Sequence, residues 1–364
     1  MFLAWRDLRR SWRRFTLVGL VVGLVAVLST VLTGLADGLV RDGTSGLRAL
    51  PVTHIAFAPH SEAVFSRSTL DERALARWSA VPGAQATPIG VSFVNATSRD
   101  DGRSIDLALF GVRAGSFLAK RSEAAHPASG LTGMVLSSEL RDEGAALGEH
   151  YRISGPSDHS LQVQGFTFGG SYGHVPIAYV SLPAWQRIAY GPGAGDRFSA
   201  IALNLPDGVD IAAVDLAAGT ETKTREQAYD GSPGFTAETS TMTLIRAFLL
   251  LISALVVGAF FTVLTVQRTS QIGLLKALGA STGYVVRDGI GQVAIIVVLA
   301  TAAGALGGTA IVGLLDGGPV PVELLPVNIA TSSLLLIVAG ILASLASFRR
   351  IAKIEPAIAL GVEP

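Results

Sequence analysis

The stretch FTLVGLVVGLVAVLSTVLTGLA, Phe15 to Ala36, carries no charge over 22 positions. Its length decides the fold class. A helix that crosses the hydrocarbon of a bilayer needs about 20 apolar residues, and in lipid such a run satisfies its own backbone hydrogen bonds by being helical. Three more runs follow. Thr243 to Val266 holds a single charge, Arg246, near its start, while Gly289 to Leu315 and Val327 to Phe348 hold none. The chain therefore reads as an integral membrane α-helical protein with four transmembrane helices, at 15–36, 242–267, 284–315 and 327–348. The four runs contain no His, Asp or Glu. This argues against an intramembrane metalloprotease, an aspartyl protease and a proton relay.

Composition agrees. Of 364 residues 49% are apolar and 15% charged, against roughly 25% charged in a soluble domain. Acids and bases balance at 28 each, which argues against a polyanionic partner such as nucleic acid. There is no cysteine, so disulfides, thiolate metal sites and cysteine nucleophiles are excluded together.

The balance conceals a segregation. Residues 37–241 hold 22 of the 28 acids, 16 of the 28 bases and all six histidines. This is a domain-sized insertion between the first two spans. The bases near span ends set its side. Arg6, Arg9, Arg10, Arg13 and Arg14 precede span one against Asp7. Arg268, Lys276 and Arg287 lie between the apolar runs of spans two and three against Asp288, and Arg349, Arg350 and Lys353 follow span four against Glu355 and Glu363. The loop at 316–326 has Asp316 and Glu323 and no base. Both termini are thus expected in the cytoplasm and residues 37–241 outside. Span one exceeds a signal-peptide apolar core and is expected to remain uncleaved.

Phe2, Trp5, Leu8 and Trp12 share a helical face, so residues 1–14 read as a cytoplasmic interfacial helix. Gly19-x-x-x-Gly23 and Gly304-x-x-x-Gly308 hint at close helix packing. In the insertion, Thr53–Ala58, Ile89–Val94, Ile105–Val112, Leu161–Phe168, Ile177–Val180 and Phe198–Leu205 read as strands. Leu70–Ala80, Ser137–Leu147, Leu182–Tyr190 and Asp210–Ala218 read as helices. The expected class is a large α+β extracytoplasmic domain with a stalk, in which Asp37–Leu50 and Thr236–Thr241 continue the flanking spans. No Gly-x-x-x-x-Gly-Lys-Ser/Thr loop occurs, so the chain lacks that route to ATP hydrolysis, and no activity as an enzyme in its own right is expected.

Between spans two and three, residues 268–283 include RTSQIGLLKALGAS, Arg268 to Ser281. Ile272, Leu275 and Leu278 share a helical face, and Gly279 is placed to end that helix with a left-handed cap. This segment resembles the coupling helix of the FtsX/MacB-type (type VII) permeases of ABC transporters. FRRIAKIEPAIAL, from Phe348 within and beyond the start of the cytoplasmic tail at 349–364, is similar to that family's C-terminal pattern. GMVLSSELRDEGAALGEHYRISG, from Gly133, resembles its extracytoplasmic domain. The resemblance implies a homodimer seated on two copies of a separate ATPase subunit, which binds ATP and Mg. Arg268, Gln271, Ile272, Leu275, Lys276, Leu278 and Gly279 would form the ATPase contact. Many members carry Glu where this chain has Gln271, which suggests a branch away from the exporter MacB itself.

The opening residues and SYGHVPIAYVS, Ser171 to Ser181, resemble the DevC/HrtB-like haem-exporter branch. That resemblance implies a bacterial cytoplasmic-membrane permease whose transported substrate is haem, with no intrinsic cofactor or metal. The candidate contacts are Tyr172, His174, Glu238, Met242 and Arg246. Four of them have a plain alternative: Tyr172 as a strand aromatic, His174 as a surface histidine, Glu238 as a helix-start acid, and Arg246 reaching lipid headgroups. The competing functions are an FtsX-like mechanotransmitter that regulates a cell-wall hydrolase or a sensor, and a lipoprotein or antimicrobial-peptide exporter.

Overall fold

The structure is a computed structural model that describes residues 12–119, 133–155, 159–193, 195–267, 274, 278–315, 317–318 and 320–351. Helix α1 (Trp12–Arg48) leads into β1 (His54–Phe57), α2 (Glu72–Ser79), β2 (Gln85–Ser98), β3 (Ser104–Val112), β4 (Met134–Ser137) and α3 (Ser138–Asp142). Next come β5 (His150–Ile153), β6 (His159–Thr167), β7 (Ser171–Tyr172), β8 (Val175–Ser181), α4 (Leu182–Tyr190), β9 (Ala200–Asn204), α5 (Ile211–Ala218) and β10 (Glu221–Thr224). Three long helices follow: α6 (Phe235–Gln267), α7 (Thr282–Leu315) and α8 (Pro326–Ile351). The chain divides into two units, Met1–Leu39 with Thr239–Pro364, and Val40–Glu238.

Among the described residues, four helices have segments long and apolar enough to cross a membrane: Thr16–Arg48, Phe235–Phe260, Val286–Leu315 and Pro326–Leu345. On α1, Val18, Val22, Ala26, Thr30 and Thr33 recur every three or four residues and are buried, while Leu17, Leu20, Leu24 and Leu28 are exposed. The greasier stripe faces outward because lipid supplies no hydrophobic drive between helices, so close packing of small side chains decides the contacts. Gly304 and Gly308 of α7 lie against Gly23, Ala26 and Thr30, and a Cβ at Gly304 would overlap the Gly23 carbonyl and the Ala26 side chain. The two small-residue motifs thus meet each other. Val257, Val293, Ile296, Val297 and Ala300 complete this core.

In the second unit, ten strands form a sheet in the order β10-β1-β9-β2-β3-β8-β4-β6-β5, with β7 paired to β8. The first half of β2 pairs with β9, and its end, Ala96–Ser98, pairs with Tyr151–Ile153 of β5. Strands β2, β3, β8, β4, β6 and β5 therefore close a circuit. Side chains alternate between the two faces. Leu107 and Leu109 of β3 join one core with Trp78 of α2 and Trp185 of α4. Ala108 and Phe110 join the other, with Leu47 and Leu50. The class is α+β, as the sequence pattern indicates.

Three local readings differ. Strand β2 runs 14 residues rather than six, because β3, β9 and β5 all pair along it. Helix α3 stops at Asp142, short of the expected Leu147; Gly144 has φ +100 and the Arg103 guanidinium donates to the Glu143 and Gly144 carbonyls. Strands β4, β5, β7 and β10 have at most four residues, too few for an alternation to register. Residues 1–11 of the expected interfacial helix and 352–364 of the tail lie outside the described residues, and residues 12–14 open α1.

Candidate functional site

Helix α1 does continue past the apolar run, through Asp42 to Arg48. Its glycines, poor helix formers, are retained for contact. A Cβ on Gly43 would press on the His174 ring, and one on Gly46 would clash with Ile177 and the Ser171 carbonyl. The close approach admits hydrogen bonds. The Gly43 carbonyl accepts from Gly173 N and from Ser232 Oγ, both at 2.9 Å. Ser171 N donates to Ser45 Oγ at 2.8 Å, and Ser171 Oγ donates to Asp42 Oδ1 at 2.9 Å.

Strands β7 and β8 are joined by Gly173 (φ +60) and His174 (φ +62). Positive φ at both central positions is the signature of the tight hairpin turn that suits strand twist. Glycine adopts it freely; a histidine there costs about 1 kcal/mol or more. That turn aims the imidazole between two carboxylates. Nδ1 lies 2.7 Å from Asp42 Oδ2 on α1, and Nε2 lies 2.9 Å from Glu238 Oε1 in the first turn of α6. The three side chains are about one-third exposed. Burial alone would lower the His174 pKa, but the hydrogen bonds and charges of Asp42 and Glu238 outweigh it and hold the group above its ordinary value. The two acids approach opposite edges of the ring, so they do not converge on one ion. Among the described residues no group of three or more His, Cys, Asp or Glu is arranged to hold a metal.

Tyr172, the other candidate on this hairpin, is enclosed. It is 1% exposed. Its ring stacks on Phe93 at 5.5 Å and meets Phe65 and Phe110 edge-on. Its hydroxyl donates to the Gly231 carbonyl at 3.2 Å, and burial pushes the phenol well above its ordinary pKa. This is a core aromatic. His174 is not a free surface histidine either, since both ring nitrogens are engaged. Sequence reasoning brought His174 and Glu238 forward but missed Asp42; the available signal was a carboxylate beside Gly43, just past a long apolar run.

The remaining candidates lie in the helical unit. Met242 is half-buried on α6. One turn further on, Arg246 Nη2 stands 3.6 Å from Asp37 Oδ1 and 3.5 Å from the Thr33 carbonyl. Asn328 Nδ2 donates to the other Asp37 oxygen at 2.8 Å. Asp37 is only 11% exposed. Among the described residues, Arg246 Nε and Thr33 Oγ1 are buried without a hydrogen-bond partner. Arg246 is therefore turned toward an internal acid, yet retains donor capacity.

Of the coupling segment, Arg268, Gln271, Ile272, Leu275 and Lys276 lie outside the described residues. Leu278 is 77% exposed, and Gly279 has φ +94, a backbone conformation that favours glycine. Gly279 to Gly283 also matches the Gly-x-Ser-x-Gly spacing of hydrolase nucleophiles. Ser281 Oγ instead accepts from Tyr284 N at the start of α7, and every histidine lies between His54 and His174.

Residues 15–218 match the MacB-like periplasmic core domain, and residues 243–356 match the FtsX-like permease C-terminal domain. A Staphylococcus haemolyticus chain named hemin transport system permease protein HrtB is 22% identical over 374 residues, covering 99% of both chains. An ABC transporter permease of Mycobacterium bovis is 24% identical over 374 residues, again covering 99% of both. The crystal structure of the extracellular domain of the ABC-type transporter YknZ from Gram-positive bacteria aligns at TM-score 0.33 and 14% identity, over 48% of this chain and 98% of that one. With four apolar helices and an α+β domain inserted after the first, this chain belongs to the FtsX/MacB family and is a permease subunit of an ABC transporter, which implies an ATPase partner.

Proposed function

We propose that this permease expels haem from a bacterial cytoplasmic membrane, as a homodimer on two ATPase subunits, with both termini cytoplasmic. The observation that carries the reading is the end-to-end similarity to chains named as hemin transport permeases. The local chemistry supports it. Haem is a flat apolar ring with carboxylate-bearing propionates. Met242 and Arg246, four apart on α6, share a face. Arg246 offers a permanent cation with an unused Nε–H to a propionate, and Met242 offers a thioether of the kind that ligates haem iron. His174, with both nitrogens occupied, and Tyr172, enclosed, serve structure in this scheme.

The test is an absorbance titration of the purified permease in nanodiscs with haemin. A Soret shift that saturates near one haem per dimer, and that weakens at least tenfold in Arg246→Ala, is expected. No shift in the wild type discards haem as cargo. The FtsX-like mechanotransmitter is the second reading, favoured by the tie that Asp42, His174 and Glu238 make between α1 and α6; it predicts ATPase-dependent signalling with no haem bound. The ATPase contact is tested by Ile272→Asp, expected to abolish stimulation of the partner's ATP hydrolysis. Unaltered stimulation contradicts the docking role of residues 268–281.

A further inference from the structure

We propose that His174 is a proton-operated clasp: as an imidazolium it locks the end of α1 to the start of α6, and on losing its proton it releases one of them. The argument begins with donor counting. A neutral imidazole carries one N–H donor and one acceptor, whereas the cation carries two donors. Both His174 nitrogens lie within hydrogen-bond distance of a carboxylate, and carboxylates only accept. The cation satisfies both; the neutral ring leaves a lone pair facing an oxygen.

The surroundings are arranged for this. Asp42 from α1 and Glu238 from α6 are the charged groups acting on the ring. Glu139 of α3 is the next acid beyond Asp42, and its pKa is raised by burial and by the charges of Asp42 and Glu143. The ring is carried on a strained turn, φ +62, that a smaller Asn or Gly would adopt more readily. It is 32% exposed, so protons reach it from solvent. The direction of the pKa displacement puts release above the ordinary histidine range, as pH rises. Helices α1 and α6 run on as the first and second candidate spans, so the clasp determines whether those two helices are joined at Asp42 and Glu238. The inference does not depend on the cargo.

The chain has no native cysteine, which makes paired labelling clean. Arg41→Cys and Ala237→Cys place spin labels on exposed positions beside the two acids. Electron–electron distances are then measured on the full-length permease in nanodiscs from about pH 6 to about pH 9. The wild type is expected to give one narrow population at the acid end that broadens and lengthens at the alkaline end. His174→Gln should be broad throughout. Glu238→Gln should be narrow throughout, because an amide N–H can donate to Nε2 of a neutral ring that still donates from Nδ1 to Asp42. If His174→Gln does not fold, Glu238→Gln alone carries the test. A wild-type distribution indifferent to pH overturns the proposal, as does a Glu238→Gln protein that opens on the wild-type curve.

Discussion

Asp37 and Asp42 stand five residues apart on one helix, and the molecule treats them differently. Asp42 meets a titratable partner in a tight bridge, 2.7 Å to His174 and on to Glu238 at 2.9 Å. Asp37 meets a permanent cation loosely, 3.6 Å from Arg246, with Asn328 holding its second oxygen. The first cluster is saturated and its strength follows the proton. The second leaves a guanidinium donor unused among the described residues. Saturation suits a fastener, and spare capacity suits a docking point for an anion. The contrast explains why the listless-looking pair of acids flanking the end of the apolar run should be read as two devices rather than one polar collar.

Breaking the second cluster should have the largest effect. Arg246→Ala leaves Asp37 nearly enclosed with a single neutral donor, at an expected cost of about 3 kcal/mol, read as a drop in thermal unfolding temperature in detergent. Adding Asp37→Asn should restore most of the stability but none of the haem binding. Recovery of both would deny Arg246 a role toward cargo. The first cluster should yield an intermediate effect whose size depends on pH. His174 has its pKa raised in the fold, so its stabilisation is complete below its ordinary value near 6.5 and is lost as pH rises through the folded value. His174→Gln should therefore cost about 2 kcal/mol on the acid side, less whatever solvent screening removes from a partly exposed bridge, and little at about pH 9. An equal loss at both pH values would mean that the bridge does not titrate. The smallest effect is expected from Tyr172→Phe, about 1 kcal/mol for the bond to Gly231, with haem titration unchanged. A weakened Soret response there would return Tyr172 to the cargo path.

The spans were legible because charge is prohibitive in hydrocarbon, so a run such as Gly289–Leu315 announces itself by what it lacks. Strands with one buried alternation, such as β6, were legible for the same local reason. Contacts distant in sequence were not. Asp42 and His174 are separated by 132 residues, and nothing in either neighbourhood names the other. Tyr172 misled because an aromatic in a two-residue strand reads alike at a rim and in a core; only the rings of Phe65, Phe93 and Phe110 around it decide. Glycines weaken a helix, yet it is through Gly43 and Gly46 that α1 seats against the hairpin.

The circuit closed by β5 on the tail of β2 has a mechanical corollary. A sheet that returns on itself offers no flap to lift at that side, so those strands would have to be torn across several ladders together. At the opposite side β10 holds on, among the described strands, through β1 alone. Under tension, or under slow deuterium exchange, Glu221–Thr224 is where the fabric would start to fray, well before the amides of β2 and β3 report anything.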